Sequence, residues 1–236
     1  MSGLATRSAP SISCGARNSK LKFVILSSLI LKGSVSVADL SLFPRSALAP
    51  FLHVGHHGAE GKAGVTLREV TACALAELTA FKGQKEALAT VIVTNFGIAL
   101  PAANKSASKD GVTFVSVGPG KWLVTGEGAA EHDLIARLEK ATASLAAVVD
   151  QSDARALVEI SGDKARAALA KGVMIDLDPS AFKLGSAATS FAVQFWITLW
   201  QTNDAPTYRL TVFRSMGRDL LHWLESSAAE YGYQVR

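Results

Sequence analysis

His53, His56 and His57 stand close together in the segment FLHVGHHG. An H-x-x-H-H spacing could offer imidazole nitrogens to a metal ion, with Cys73 as the next soft donor along the chain. Metal ligands need a further donor and partners that orient them. Nothing in the spacing supplies these, so the histidines read as a solvated lead-in. Gly118-Pro119-Gly120-Lys121 has the composition of the tail of a phosphate-binding loop. The full G-x-x-x-x-G-K-[ST] pattern is missing, Trp122 follows the lysine, and the segment joins two strands, which makes it a hairpin turn. Ser161-Gly162-Asp163 could hold an anion at a helix start. Asp163 would repel that anion while favouring the helix dipole, so Ser161 reads as a cap. Asp150, Ser152 and Asp153 form an acidic cluster where general acid/base work is conceivable, but no histidine is tied to it and a turn is the simpler reading. No nucleophile, base and orienting group can be named together. Catalytic, cofactor-binding and metal-binding residues are therefore all left unassigned.

The elements that would position these residues follow a repeated order. Residues 65–78 alternate in parts and read as extended. Gln84–Phe96 places Leu88, Val91, Ile92 and Phe96 at helical spacing and stops at Gly97. Phe114–Val117 and Trp122–Thr125 are strands flanking the Gly118–Lys121 turn. Glu131–Leu145 is an amphipathic helix, and Ala146–Val149 closes the unit as a strand. The second copy opens with a strand at Ala154–Ile160 and a helix at Gly162–Lys171, capped by Ser161 and stopped by a left-handed Gly172. Extended runs at Ile175–Leu177, Ala187–Leu199 and Tyr208–Phe213 follow, with a loop at 201–206. Ser215 caps a last helix carrying Leu220, Trp223, Leu224, Ala228 and Tyr231; Gly232 ends it, and Tyr233–Val235 adds a strand. The fold class expected is α+β, with two ferredoxin-like β-α-β-β-α-β halves at 37–149 and 150–236 behind a leader at 1–36.

At 236 residues and 49% hydrophobic, the chain can bury a substantial core. Its net charge of +4 is misleading, because Arg7, Arg17, Lys20, Lys22 and Lys32 face no acid in residues 1–36. Removing those five from 24 leaves 19 basic residues against 20 acidic ones. No basic stripe remains to neutralise phosphates, which sets nucleic-acid binding aside. The apolar run Phe23–Leu31 behind a basic stretch imitates a signal peptide. It is shorter than the roughly 20 apolar residues that span a bilayer. The alternatives are export with cleavage after Ala38, or a true start near Val35 or Val37, and the second is preferred. Two cysteines, Cys14 and Cys73, make no disulfide framework, and Cys73 fits a core position in a reducing, cytoplasmic compartment. Phe191, Phe195, Trp196 and Trp200 form the densest aromatic segment and suit either core or interface.

Three segments resemble the gamma subunit of heterotetrameric sarcosine oxidase: 115–127, 150–182 and 208–232. They carry the family's G-P-x-x-W-L turn at Gly118, Pro119, Trp122 and Leu123. The D-x-S-x-x-R strand falls on Asp150, Ser152 and Arg155. S-G-x-x-A-x-x-x-L-x-K-G falls on Ser161, Gly162, Ala165, Leu169, Lys171 and Gly172, and the closing R-S on Arg214 and Ser215. The likeness runs from about Leu40 to the end, which also favours the later start. It implies a fold like the glycine cleavage aminomethyltransferase. It further implies membership of a complex that demethylates sarcosine to glycine, giving hydrogen peroxide and methylene-tetrahydrofolate. Within that resemblance FAD, FMN, NAD, zinc and the main tetrahydrofolate site belong to the alpha, beta and delta subunits. No cofactor is expected on this chain, and assembly surface is expected to use some of Trp196, Trp200, Trp223 and Tyr231. A charged residue at Trp200 should then weaken the complex and leave the chain folded. The competing readings are a free-standing folate-binding one-carbon transferase and, resting on the leader alone, an exported binding protein.

Overall fold

The computed structural model describes residues 45–236, so the readings of the leader and of Cys14 lie outside the described residues. Strands β1 (Gly55–His57) and β2 (Val65–Glu69) precede β3 (Cys73–Ala80) and helix α1 (Lys85–Phe96). Next come β4 (Ser106–Lys109), β5 (Val112–Gly118), β6 (Lys121–Glu127), α2 (Leu134–Thr142) and β7 (Ala146–Asp150). The chain continues through β8 (Arg155–Ser161), α3 (Ala165–Ala170), β9 (Ala187–Ala192), β10 (Phe195–Asn203) and β11 (Thr207–Phe213). It closes with α4 (Gly217–Ala228) and β12 (Tyr233–Val235). Five strands form an antiparallel sheet in the order β4-β5-β6-β3-β7. Seven form a second in the order β1-β12-β2-β8-β11-β10-β9, where β12 and β2 run parallel.

Side chains alternate across a strand, and here both faces are used. On β8, Ala156, Val158 and Ile160 pack with Leu169 of α3 and Leu220 and Leu224 of α4. On β3, Ala76 and Leu78 pack with Leu88 and Ile92 of α1 and Leu134 and Leu138 of α2. The opposite faces meet each other: Leu75, Val115 and Leu123 from the five-stranded sheet join Leu157, Ala187 and Trp200 from the seven-stranded one. The order of layers is helix, sheet, sheet, helix.

Local expectations fail where tertiary pairing overrides them. Residues 65–78 are not one strand: the chain leaves the seven-stranded sheet after Glu69 and enters the other at Cys73. Two alternating strands and one long one look alike in sequence. As β1 and β2 join the later strands, the sheets do not divide between 37–149 and 150–236. Ser161 is no cap; its backbone is paired to Thr66 and Thr207, and α3 begins only after Lys164 without a side-chain cap. Gly172 is not left-handed. A Cβ there would stand 2.7 Å from Val193 Cγ2 and 2.8 Å from Trp223 Cζ2, so packing is what requires glycine. Ser215 sits in a 3-10 turn without capping α4. Ile175–Leu177 forms no strand, residues 187–199 fold back as a hairpin, and Gln201–Asn203 extend β10 rather than a loop. Gly97 does end α1 in the left-handed conformation, with φ 64°.

Candidate functional site

The residues singled out from the sequence are brought together by the fold only in part. His57 Nε2 lies 2.7 Å from the carbonyl oxygen of His53 and its ring stacks on Tyr233, while His56 Nε2 lies 2.9 Å from Ala59 O. These imidazoles fasten a lead-in strand, and among the described residues no three His, Cys, Asp or Glu side chains gather to hold a metal. His132 and His222 are exposed. The latter lines an open cleft with Phe51, His53 and Arg218. The Asp150–Ser152 cluster is a turn: Ser152 N donates to Asp150 Oδ1 at 2.9 Å, and Leu75 N donates to Ser152 Oγ at 3.0 Å. It ties the junction to β3. Gly118–Lys121 is the β5–β6 hairpin turn, with Gly120 at φ 67°.

The strongest electrostatic feature lies between the sheets and has no motif. Arg209 on β11 reaches across to Glu127 at the end of β6, with Nη2 donating to Oε2 at 2.9 Å and Nη1 donating to Oε1. Its Nε donates to Glu159 on β8 at 3.0 Å, and Glu159 also accepts from Arg68 on β2 at 2.9 Å. Burial would raise the Glu159 carboxyl, yet the bonds from Arg68 and Arg209 hold it below the ordinary range. Burial likewise opposes the charge on Arg209, and the two carboxylates outweigh it. Cys73 lies beside this network. Burial pushes its thiol up to about 12, with Glu127 adding and Arg209 opposing, so the thiolate needed for nucleophilic or redox work is suppressed. The signal for this clasp is present in the sequence: Glu159 and Arg209 each interrupt an apolar alternation. Period-2 counting places them on the second face of their strands, but without the topology they do not pair.

The aromatic segment divides. Trp200 is 1% exposed and belongs to the core between the sheets, which corrects its assignment to an assembly surface. Trp223 and Tyr231 are partly buried against the helical core. Trp196 is 50% exposed and meets Phe191 edge-to-face, with centroids 4.7 Å apart. Trp196 and Phe191 thus leave an exposed aromatic pair on the described surface.

A model for the sarcosine oxidase gamma subunit family matches residues 82–230. The chain is 28% identical over 174 residues to sarcosine oxidase subunit gamma of Corynebacterium sp. strain U-96, covering 72% of this chain and 82% of that one. It is 26% identical over 187 residues to its counterpart in strain P-1, covering 78% and 90%. A chain of the heterotetrameric sarcosine oxidase from Corynebacterium sp. U-96, solved with pyrrole 2-carboxylate, superposes with a TM-score of 0.69 at 28% identity, covering 79% of this chain and 95% of that one. Aminomethyltransferase T of the glycine cleavage system from Bartonella henselae superposes at 0.55 with 12% identity, covering 74% of this chain and 48% of that one, which shows a shared fold alone. With well over half its length matched, this α+β chain belongs to the sarcosine oxidase gamma subunit family.

Proposed function

We propose that the chain serves as the noncatalytic gamma subunit of a heterotetrameric sarcosine oxidase, an oxidoreductase complex, by supplying assembly surface. The observation that carries this reading is the match over residues 82–230 together with the superposition on a chain of a heterotetramer. On this reading the alpha, beta and delta subunits hold FAD, FMN, NAD, zinc and the main tetrahydrofolate site. They oxidise the N-methyl group of sarcosine, pass its electrons to oxygen as hydrogen peroxide, and deliver the carbon to tetrahydrofolate. The same reading has the complex work in the cytoplasm; among the described residues no helix is long and apolar enough to cross a membrane. The split strand order of each sheet supports reading them as the cores of two ferredoxin-like halves.

The test is recovery of a tagged chain beginning near Val37, co-expressed with the products of neighbouring genes. Mass spectrometry and a visible spectrum read the result. Large partner chains with flavin absorption are expected with the complex, and a colourless gamma chain without it. A lone, stable, colourless protein under co-expression would sink the subunit reading and make direct tetrahydrofolate binding the next question.

A further inference from the structure

We propose that the tip of the β9–β10 hairpin docks on a different polypeptide of the sarcosine oxidase heterotetramer, with Trp196 and Phe191 as its central anchors. This rests on the gamma-subunit reading. The face that carries them is already half used. Trp196, Thr198 and Trp200 alternate onto one face of β10, opposite Phe191, Thr189 and Ala187 of β9. At the Trp200–Ala187 end the five-stranded sheet covers that face, and both residues are 1% exposed. At the Trp196–Phe191 end the same face runs past its cover, leaving Trp196 50% and Phe191 42% exposed.

Charge points to the nature of the occupant. Edge strands in free-standing proteins are usually guarded by charged side chains, yet Leu184–Asn203 contains no Asp, Glu, Lys or Arg. Cores of protein interfaces are depleted in charge and enriched in aromatic residues and methionine. Met174 completes the pattern: it is 68% exposed and strapped to β9 by its N–H donating to Phe191 O at 3.1 Å. Val193 at the turn has φ 54°, a left-handed conformation that a β-branched residue adopts at a cost, and it is 47% exposed. A glycine or asparagine would meet the turn's geometry more easily; valine adds apolar surface instead. The occupant matched to this face is a neutral, apolar patch with an acceptor for the Trp196 indole N–H. The superposed relative comes from an assembly of unlike chains, which makes another subunit, rather than a second copy, the occupant.

The experiment is partner recovery from the co-expressed complex, comparing wild type, Trp196→Asp, Phe191→Asp and the control Phe81→Asp, whose side chain is 46% exposed elsewhere. Loss of a central anchor should cut recovered partner by about tenfold or more, with the control within about twofold of wild type. Hydroxyl-radical footprinting of the wild-type complex decides the matter even if a variant misfolds. Trp196 and Met174 should be protected in the complex while Phe81 is oxidised. Partner recovery unaffected by Trp196→Asp overturns the proposal, as does oxidation of Trp196 in the complex. A chain that dimerises through Trp196 while still recovering partners as the variant assigns the face to a second copy and overturns it too. Failure of the wild-type chain to recover any partner is a separate result; it removes the gamma-subunit reading and this inference with it.

Discussion

Among the described residues, Arg209 makes the salt bridge that crosses from one sheet to the other, and its neighbours differ in what they lose without it. Glu159 keeps Arg68 at 2.9 Å, whereas the ion pair made by Glu127 is with Arg209. Replacing Arg209 with methionine therefore leaves Glu127 charged and only 27% exposed. Breaking one side of such a pair typically costs several kcal/mol, so Arg209→Met should destabilise by about 2–4 kcal/mol in denaturant unfolding. Adding Glu127→Gln should restore part of that loss, and equal instability of the single and double variants would assign the effect to packing alone. Acid sensitivity follows from Glu159. Its folded pKa lies below the ordinary 4.5, so its contribution is complete above that value and disappears as pH falls through the folded pKa. Glu159→Gln should flatten the stability profile below about pH 4.5. An unchanged slope there would remove Glu159 from the acid response.

At the scale of elements, glycine and turn positions decide how helices meet strands. Gly172 lies where Val193 of the hairpin turn and Trp223 of α4 converge. Gly172→Ala should cost about 1–3 kcal/mol through overpacking, since the contacts at 2.7 and 2.8 Å are to a strained turn and an indole ring. A neutral thermal shift would mean the hairpin yields easily. The same residue shows how far the sequence could be read. Where hydrogen bonds are local, the reading succeeded: Gly97 ends α1, and the Gly118–Lys121 turn joins β5 to β6. Where a residue's role is fixed by a distant partner, it did not. Gly172 answers to Val193 and Trp223, Ser161 to Thr66 and Thr207, and Trp200 to the other sheet. Of the contact face, aromatic density marked the segment, but separating exposed Trp196 from buried Trp200 required knowing where the second sheet stops.

For the whole molecule, the decisive feature is that β2 lies between β12 and β8 although it comes from the other side of the junction in sequence. A chain of residues 151–236 would turn β8 into an unpaired edge, the condition that favours aggregation, and leave β12 without either of its partners, β1 and β2. It would also uncover Leu157, Ala187 and Trp200. A chain of residues 37–150 would bare Leu75, Val115 and Leu123 and leave Arg209 absent from Glu127. Each piece would thus lose a shared core and a shared sheet, while the intact chain keeps both. The expected outcome is that the two pieces are soluble only when co-expressed, eluting together, and that the intact chain unfolds in one transition by both circular dichroism and tryptophan fluorescence. Trp122 reports the helical side of the five-stranded sheet and Trp200 the core between sheets, so fluorescence covers both regions. Independent solubility of either piece, or two resolved transitions, would mean that the halves are autonomous and that the pairing of β2 with β8 contributes little to holding them together.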